Sequence, residues 1–251
     1  MNQKAIHSII CILAASLMFI SCKTYRMPTA AIRGNYKPSV TMKTGNTITG
    51  NEVRERTPII GKDKIQVDDT KYLAKDVAFY QTNKNRYANV GRSEFAYQTV
   101  EGKINMYAVQ RKSTSSTYNS ATGSFKTSTN IHYDYYLQKG GDLAKVVPYS
   151  HKMVRDYVSP FRPSMTLVEK SEQAKETSRI LGWAGLGYFA TSIGLIAASV
   201  SAPEGKGDAI GTVGGVMLFT SPFVLIPISI FKYKAQKYDF QAIEAYNGGK
   251  P

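Results

Sequence analysis

The sequence predicts an α+β protein: a small antiparallel β-rich domain, either a sandwich or a partial barrel, followed by a two-helix transmembrane hairpin and a C-terminal amphipathic helix. Three observations carry this expectation. Short runs rich in Val, Ile and Tyr recur between Asn46 and Pro148, punctuated by turn residues. Two uncharged runs follow, Ile180 to Val200 with 21 residues and Ala209 to Phe231 with 23. The tail then sets Tyr238, Ala242, Ile243 and Tyr246 on one helical face, before a stop at Asn247 and Gly248.

The chain opens with one lysine, Lys4, an apolar stretch from Ile9 to Ile20, and Ser21-Cys22. A basic start, a short apolar middle and small residues at a cut site form a secretory signal over residues 1–21. As an uncut anchor the apolar stretch is short for a bilayer core of about 30 Å. Phe19-Ile20-Ser21-Cys22 resembles a bacterial lipobox, with Phe19 in place of the more common leucine. The resemblance implies cleavage before Cys22 and acylation of its thiol, with palmitate among the chains added. More than one acyl chain makes an anchor stable where a single chain is marginal. Cys11 leaves with the signal, so no thiol remains to form a disulfide.

Residues 22–45 mix Pro, Gly and basic residues without a period and read as a lipidated tether ending near a first strand. Residues 46–148 form the expected β-rich periplasmic domain. Lys64 to Val67 alternates and meets a turn at Asp68-Asp69; Val77 to Tyr80 and Tyr87 to Val90 are short strands. Phe95 to Val100 and Ile104 to Val109 flank Glu101-Gly102 as a hairpin, and Tyr133 to Leu137 and Leu143 to Val147 flank Gly140-Gly141. Between them, residues 112–130 hold 11 Ser or Thr among 19, which predicts a mobile hairpin tip with too little apolar surface to order it.

Residues 149–179 read as a helical connector. Ser150 is its N-cap, Pro160 and Pro163 interrupt it, and a polar helix from Met165 to Arg179 leads into the hairpin. Residues 180–231 are the hairpin; at 1.5 Å per residue its first run spans roughly 31 Å. Residues 232–251 are the C-terminal helix and tail, either interfacial or packed on the β domain.

Small residues recur every fourth position in both spans: Ala190, Gly194 and Ala198 in the first, Gly207, Gly211 and Gly215 in the second. Each trio lies on one helix face and suits close backbone approach, within the hairpin or between subunits. Together with Cys22 this pattern resembles the glycine-zipper lipoproteins of the bacterial cell envelope, and the resemblance implies a packing role for the six residues.

Loss of Lys4 on cleavage leaves 31 basic residues against 18 acidic ones, a net charge of about +13. In an exported chain that balance points to membrane lipid, an anionic glycan or an acidic envelope partner, and away from nucleic acid. The flanks of the hairpin carry Lys170, Lys175, Arg179, Lys232, Lys234 and Lys237, whereas the turn carries only Lys206. The positive-inside rule would put those flanks in the cytoplasm, in conflict with the signal. The alternative is therefore a three-span protein whose basic domain is cytoplasmic and binds anionic lipid or nucleic acid.

No motif for catalysis, metal or cofactor stands out. His132 and Asp134 share a strand face and form a candidate metal or proton pair, against the plainer reading of an exposed strand. Asp68, Asp69 and Asp76 form a candidate calcium cluster, against a turn and a strand flank. His151 reads as surface. The expectation is a non-enzymatic lipoprotein of the cell envelope, in the outer membrane facing the periplasm. Its role there is structural, or as an accessory subunit of a membrane assembly.

Overall fold

The computed structural model describes residues 28–56, 63–91, 93–120, 123–141, 143–200 and 207–248. The expected signal at 1–21, Cys22 and most of the turn at 201–208 lie outside the described residues. The described chain divides into a β unit, residues 28–170 and 238–248, and a helical unit, residues 171–237.

The β unit is antiparallel throughout, as its period-two sequence requires. Its larger sheet holds β1 (Ser39–Met42), β2 (Thr47–Thr49), β6 (Val77–Gln81), β7 (Arg86–Gly91), β8 (Glu94–Val100), β9 (Ile104–Asn119), β10 (Ser124–Lys139) and β11 (Val147–Pro148). They lie in the order β11-β10-β9-β8-β7-β6-β1-β2. A smaller sheet joins β3 (Val53–Arg56), β4 (Lys64–Val67) and β5 (Thr70–Leu73) in that order. From β6 to β10 each strand pairs with its successor, so short turns do most of the folding work.

Alternation sends neighbouring residues to opposite faces. Tyr80, Tyr87 and Phe95 join one core, with Val40 and Val77 from the larger sheet and Val53, Ile65 and Val67 from the smaller. Phe79, Ala88 and Ala96, one residue away on each strand, join a second core with Tyr107 and Val109. Tyr80 stacks on Tyr87 at 4.5 Å between centroids and meets Phe95 edge-on at 4.9 Å. Such pairs add to the stabilisation from buried area alone.

Three expectations change. Residues 112–130 are not a floppy tip: β9 and β10 pair residue for residue from Lys139↔Ile104 out to Ser124↔Asn119. The ladder satisfies the backbone, and Tyr118 and Phe125 meet at 5.0 Å near its end. The tether is docked from its described start, with Ile32 N donating to Gln98 O, Gly34 N to Lys84 O, and Tyr97 OH to Thr29 O. Of the strand expected at Leu143 to Val147, only Val147 pairs, and Leu143 is exposed.

Helix α1 (His151–Val158) starts as expected, with Ser150 Oγ accepting from Met153 N at 3.3 Å. Pro163 does not break the next helix. It sits in the first turn of α2 (Arg162–Val200), where its missing N–H costs little. Helix α3 (Gly207–Tyr246) is likewise continuous. The boundaries expected at 179 and 231 thus fall inside helices. The end of α3 is packed inside the β unit, with Phe240, Ala242, Ile243 and Ala245 buried. This settles the choice left open for the tail against an exposed interfacial helix. Gly248, at φ +94°, ends it with N–H donation to Ala245 O.

Candidate functional site

In the helical unit, α2 and α3 run antiparallel and meet through hydroxyls. Ser171 Oγ donates to Ala235 O at 2.9 Å, and Ser178 Oγ donates to Ile228 O at 3.2 Å. Further along, Gly185 and Ser192 are buried on α2, and Gly214 on α3. A Cβ added at Gly214 would lie 2.9 Å from Ile196 N, so only glycine allows that approach. Tyr188 OH and Thr220 Oγ1 are 2.6 Å apart. In the β unit, Ser164 Oγ makes the same bond to Ala242 O at 2.8 Å.

The contacts follow a spacing of seven, which the search for fourth-position glycines passed over. Ser164, Ser171, Ser178, Gly185, Ser192 and Ser199 are all small, as are most of Gly207, Gly214, Ser221, Ile228, Ala235 and Ala242. That signal was present in the sequence. The expected packing residues are distributed differently. Ala190, Gly194 and Ala198 are exposed, and Gly194 has no atom within 4 Å of an added Cβ. Gly211 faces Ser199, with 2.9 Å from an added Cβ to the hydroxyl, whereas Gly215 meets nothing. Gly207 is half-buried.

From Ile180 onward the outward surface of α2 is apolar. Trp183 is 71% exposed, with Leu186, Phe189 and Ile193 also open, and Val200 is 84% exposed. Among the described residues α2 is the one helix long and apolar enough to cross a membrane, and 11% of its most apolar window is buried.

The polar interior of the β unit has a focus that sequence reading missed. Asp239 is wholly buried; its Oδ2 accepts from Tyr149 OH at 2.7 Å, and its Oδ1 lies 2.7 Å from His151 Nδ1. His151 is therefore not a surface residue: its side chain is 16% exposed. Burial, and then the charge of Asp239, push the Tyr149 phenol well above its ordinary range. Nothing in the sequence flags partners 88 positions apart.

A second buried cluster consists of amides. Gln98 Nε2 donates to Asn105 Oδ1 at 3.1 Å, and Tyr107 OH donates to Gln138 Oε1 at 2.9 Å. Asn247 acts as a strand surrogate, its Oδ1 accepting from Ile104 N and its Nδ2 donating to Ile104 O, both at 2.9 Å.

The candidate His132–Asp134 pair is not assembled. Asp134 Oδ2 accepts from Arg111 Nε at 2.8 Å, and the other end of that guanidinium holds both oxygens of Glu94. Its hydrogen bonds to Asp134 and then to Glu94 raise the Arg111 pKa further. Asp68 is the turn residue, at φ 49°, and its Oδ1 accepts from Asn51 N at 2.9 Å and Glu52 N at 3.0 Å. Among the described residues no three His, Cys, Asp or Glu side chains are grouped to hold a metal. Comparison with known proteins adds no family: no family model, curated protein or solved structure matches this chain.

Proposed function

We propose that this is a membrane-anchored lipoprotein of the cell envelope. Its long helices form a two-helix transmembrane hairpin, and its β unit works as an interaction module. One observation carries the reading: from Ile180 onward α2 exposes Trp183, Leu186, Phe189 and Ile193, while Tyr188 turns its hydroxyl to Thr220 on α3. In water that surface would be a liability; in hydrocarbon it is the expected exterior. The hydroxyls of that stretch suit the same setting, because Thr191, Ser192 and Ser199 donate to carbonyls of their own helix rather than to solvent.

In this reading Cys22 carries the acyl anchor and the hairpin provides a second attachment. The exposed Ala190, Gly194 and Ala198 face is left for a further helix, from another copy or an envelope partner. The role is structural and not enzymatic, and the outer membrane is the favoured location. The flanking charges, with six basic residues outside the hairpin and Lys206 alone in its turn, favour the three-span alternative with a cytoplasmic β unit.

Mass spectrometry of the N-terminus from membranes separates the two. A cleaved, acylated Cys22, lost in Cys22→Ser, is the expected result; an intact Met1 terminus would transfer the argument to the three-span topology.

A further inference from the structure

Among the described residues, β10 beyond Phe125 has no strand on its outer side until β11, which pairs only with Tyr136 and Leu137. Among the described residues the outer edge from Phe125 to Tyr133 is therefore an unextended row of backbone donors and acceptors. It belongs to a two-stranded ribbon, an arrangement that is marginal in water by itself. An open edge of this kind is a template for another strand.

The residues along that edge indicate which strand fits. Residues 112–133 contain no Asp or Glu, so an edge-pairing partner meets no acidic charge. Alternation places Phe125, Thr127, Thr129 and Ile131 on one face, and Lys126, Ser128 and Asn130 on the other. Two copies of β10 related by a two-fold axis must pair antiparallel, with facing residues of equal parity, or their side chains would point to opposite faces.

A two-fold axis at Ser128 meets this condition. It sets Phe125 opposite Ile131, Thr127 opposite Thr129, Lys126 opposite Asn130 and Ser128 opposite itself. Phe125, 73% exposed, and Ile131, 52% exposed, are then covered twice over. No lysine faces a lysine. Moving the axis to Thr129 instead brings Lys126 against His132; moving it to Thr127 leaves Ile131 opposite Gly123.

We infer that the β10 edge is a homodimer interface, in which a second copy of this chain adds its own β10 antiparallel about Ser128 and makes a continuous four-stranded ribbon. The interface lies wholly in the β unit and does not depend on membrane insertion or on Cys22.

The test is oxidative crosslinking of the full chain in mild detergent, with the parent sequence as control for Cys11 and Cys22. Ser128→Cys places two thiols face to face on the axis and should yield a band at twice the monomer's mass under non-reducing conditions. Ser115→Cys, which pairs with Ser128 inside the ribbon, should not crosslink, being one strand removed from the axis. Phe125→Lys with Ile131→Lys in the Ser128→Cys background should abolish the band, while an unchanged circular dichroism spectrum reports an intact fold. Equal crosslinking at 128 and 115, no crosslinking at either, or a band that survives the double lysine change would overturn the proposal.

Discussion

Tyr149 OH donates a hydrogen bond to Asp239 Oδ2 at 2.7 Å, with the carboxylate wholly out of solvent and the other oxygen 2.7 Å from His151 Nδ1. A buried carboxylate survives only where each oxygen is engaged. The two contacts join the start of α1 to the last third of α3 inside the β unit.

Asp239→Ala should therefore destabilise the β unit by about 3 kcal/mol, because it strands two buried partners. Tyr149→Phe removes one bond and should cost about 1.5 kcal/mol. Chemical denaturation followed by circular dichroism measures both; equal, negligible losses would mean solvent reaches the cluster freely.

Alkali should unfold the β unit. Burial, chiefly, raises the phenols of Tyr80 and Tyr149, and pushes that of Tyr135 up to about 12. The unfolded chain gives up these protons near pH 10, while the native state still holds them. The unfolded state then binds fewer protons, so stability is complete below about pH 10 and falls as pH rises toward and beyond 12. Absorbance at the tyrosinate band should rise in step with the loss of ellipticity; phenols that ionise without unfolding would refute it.

Gly214→Leu should part the long helices, since backbone stands 2.9 Å from the new Cβ. A cost of about 1–3 kcal/mol is the usual penalty for overpacking. Gly194→Leu, with nothing within 4 Å, should leave the pair intact. Thermal melts in detergent compare the two, and similar melting points would exclude a close approach at Gly214.

Ser171→Ala and Ser178→Ala should each cost about 1 kcal/mol, the typical net contribution of one hydrogen bond. The double variant should lose about twice that in the same melts. A loss several times larger would mean that the hydroxyls act as a cooperative unit.

The sequence made parts of this fold readable and hid others for definable reasons. The turn at Glu101-Gly102 announced its hairpin, because flanking alternation and turn chemistry agreed, and Asp68-Asp69 was legible as a turn. β2, β3 and β5 escaped: Thr47–Thr49, Val53–Arg56 and Thr70–Leu73 are three or four residues long and largely polar. Residues 112–130 pair because the ladder continues the register of Tyr107↔Tyr136, which apolar content alone does not reveal. The helix contacts were legible at a period of seven, whereas a four-residue glycine search picked Ala190, Gly194 and Ala198 on the exposed side. The Asp239 cluster was beyond reach, since only the tertiary fold brings it to His151.

The clasp of Asn247 on Ile104 bears on biogenesis. The two residues are 143 positions apart, and the ribosome needs about 10 s to deliver the second after the first at typical synthesis rates. Throughout that interval the start of β9 lacks the side chain that caps its backbone, and Asp239 has yet to reach Tyr149. The β unit thus cannot finish folding as its own strands emerge; it waits, incomplete, until the whole apolar segment has been made. In the exported topology proposed above that delay is useful, because a late-closing domain stays threadable for as long as its last turn is missing.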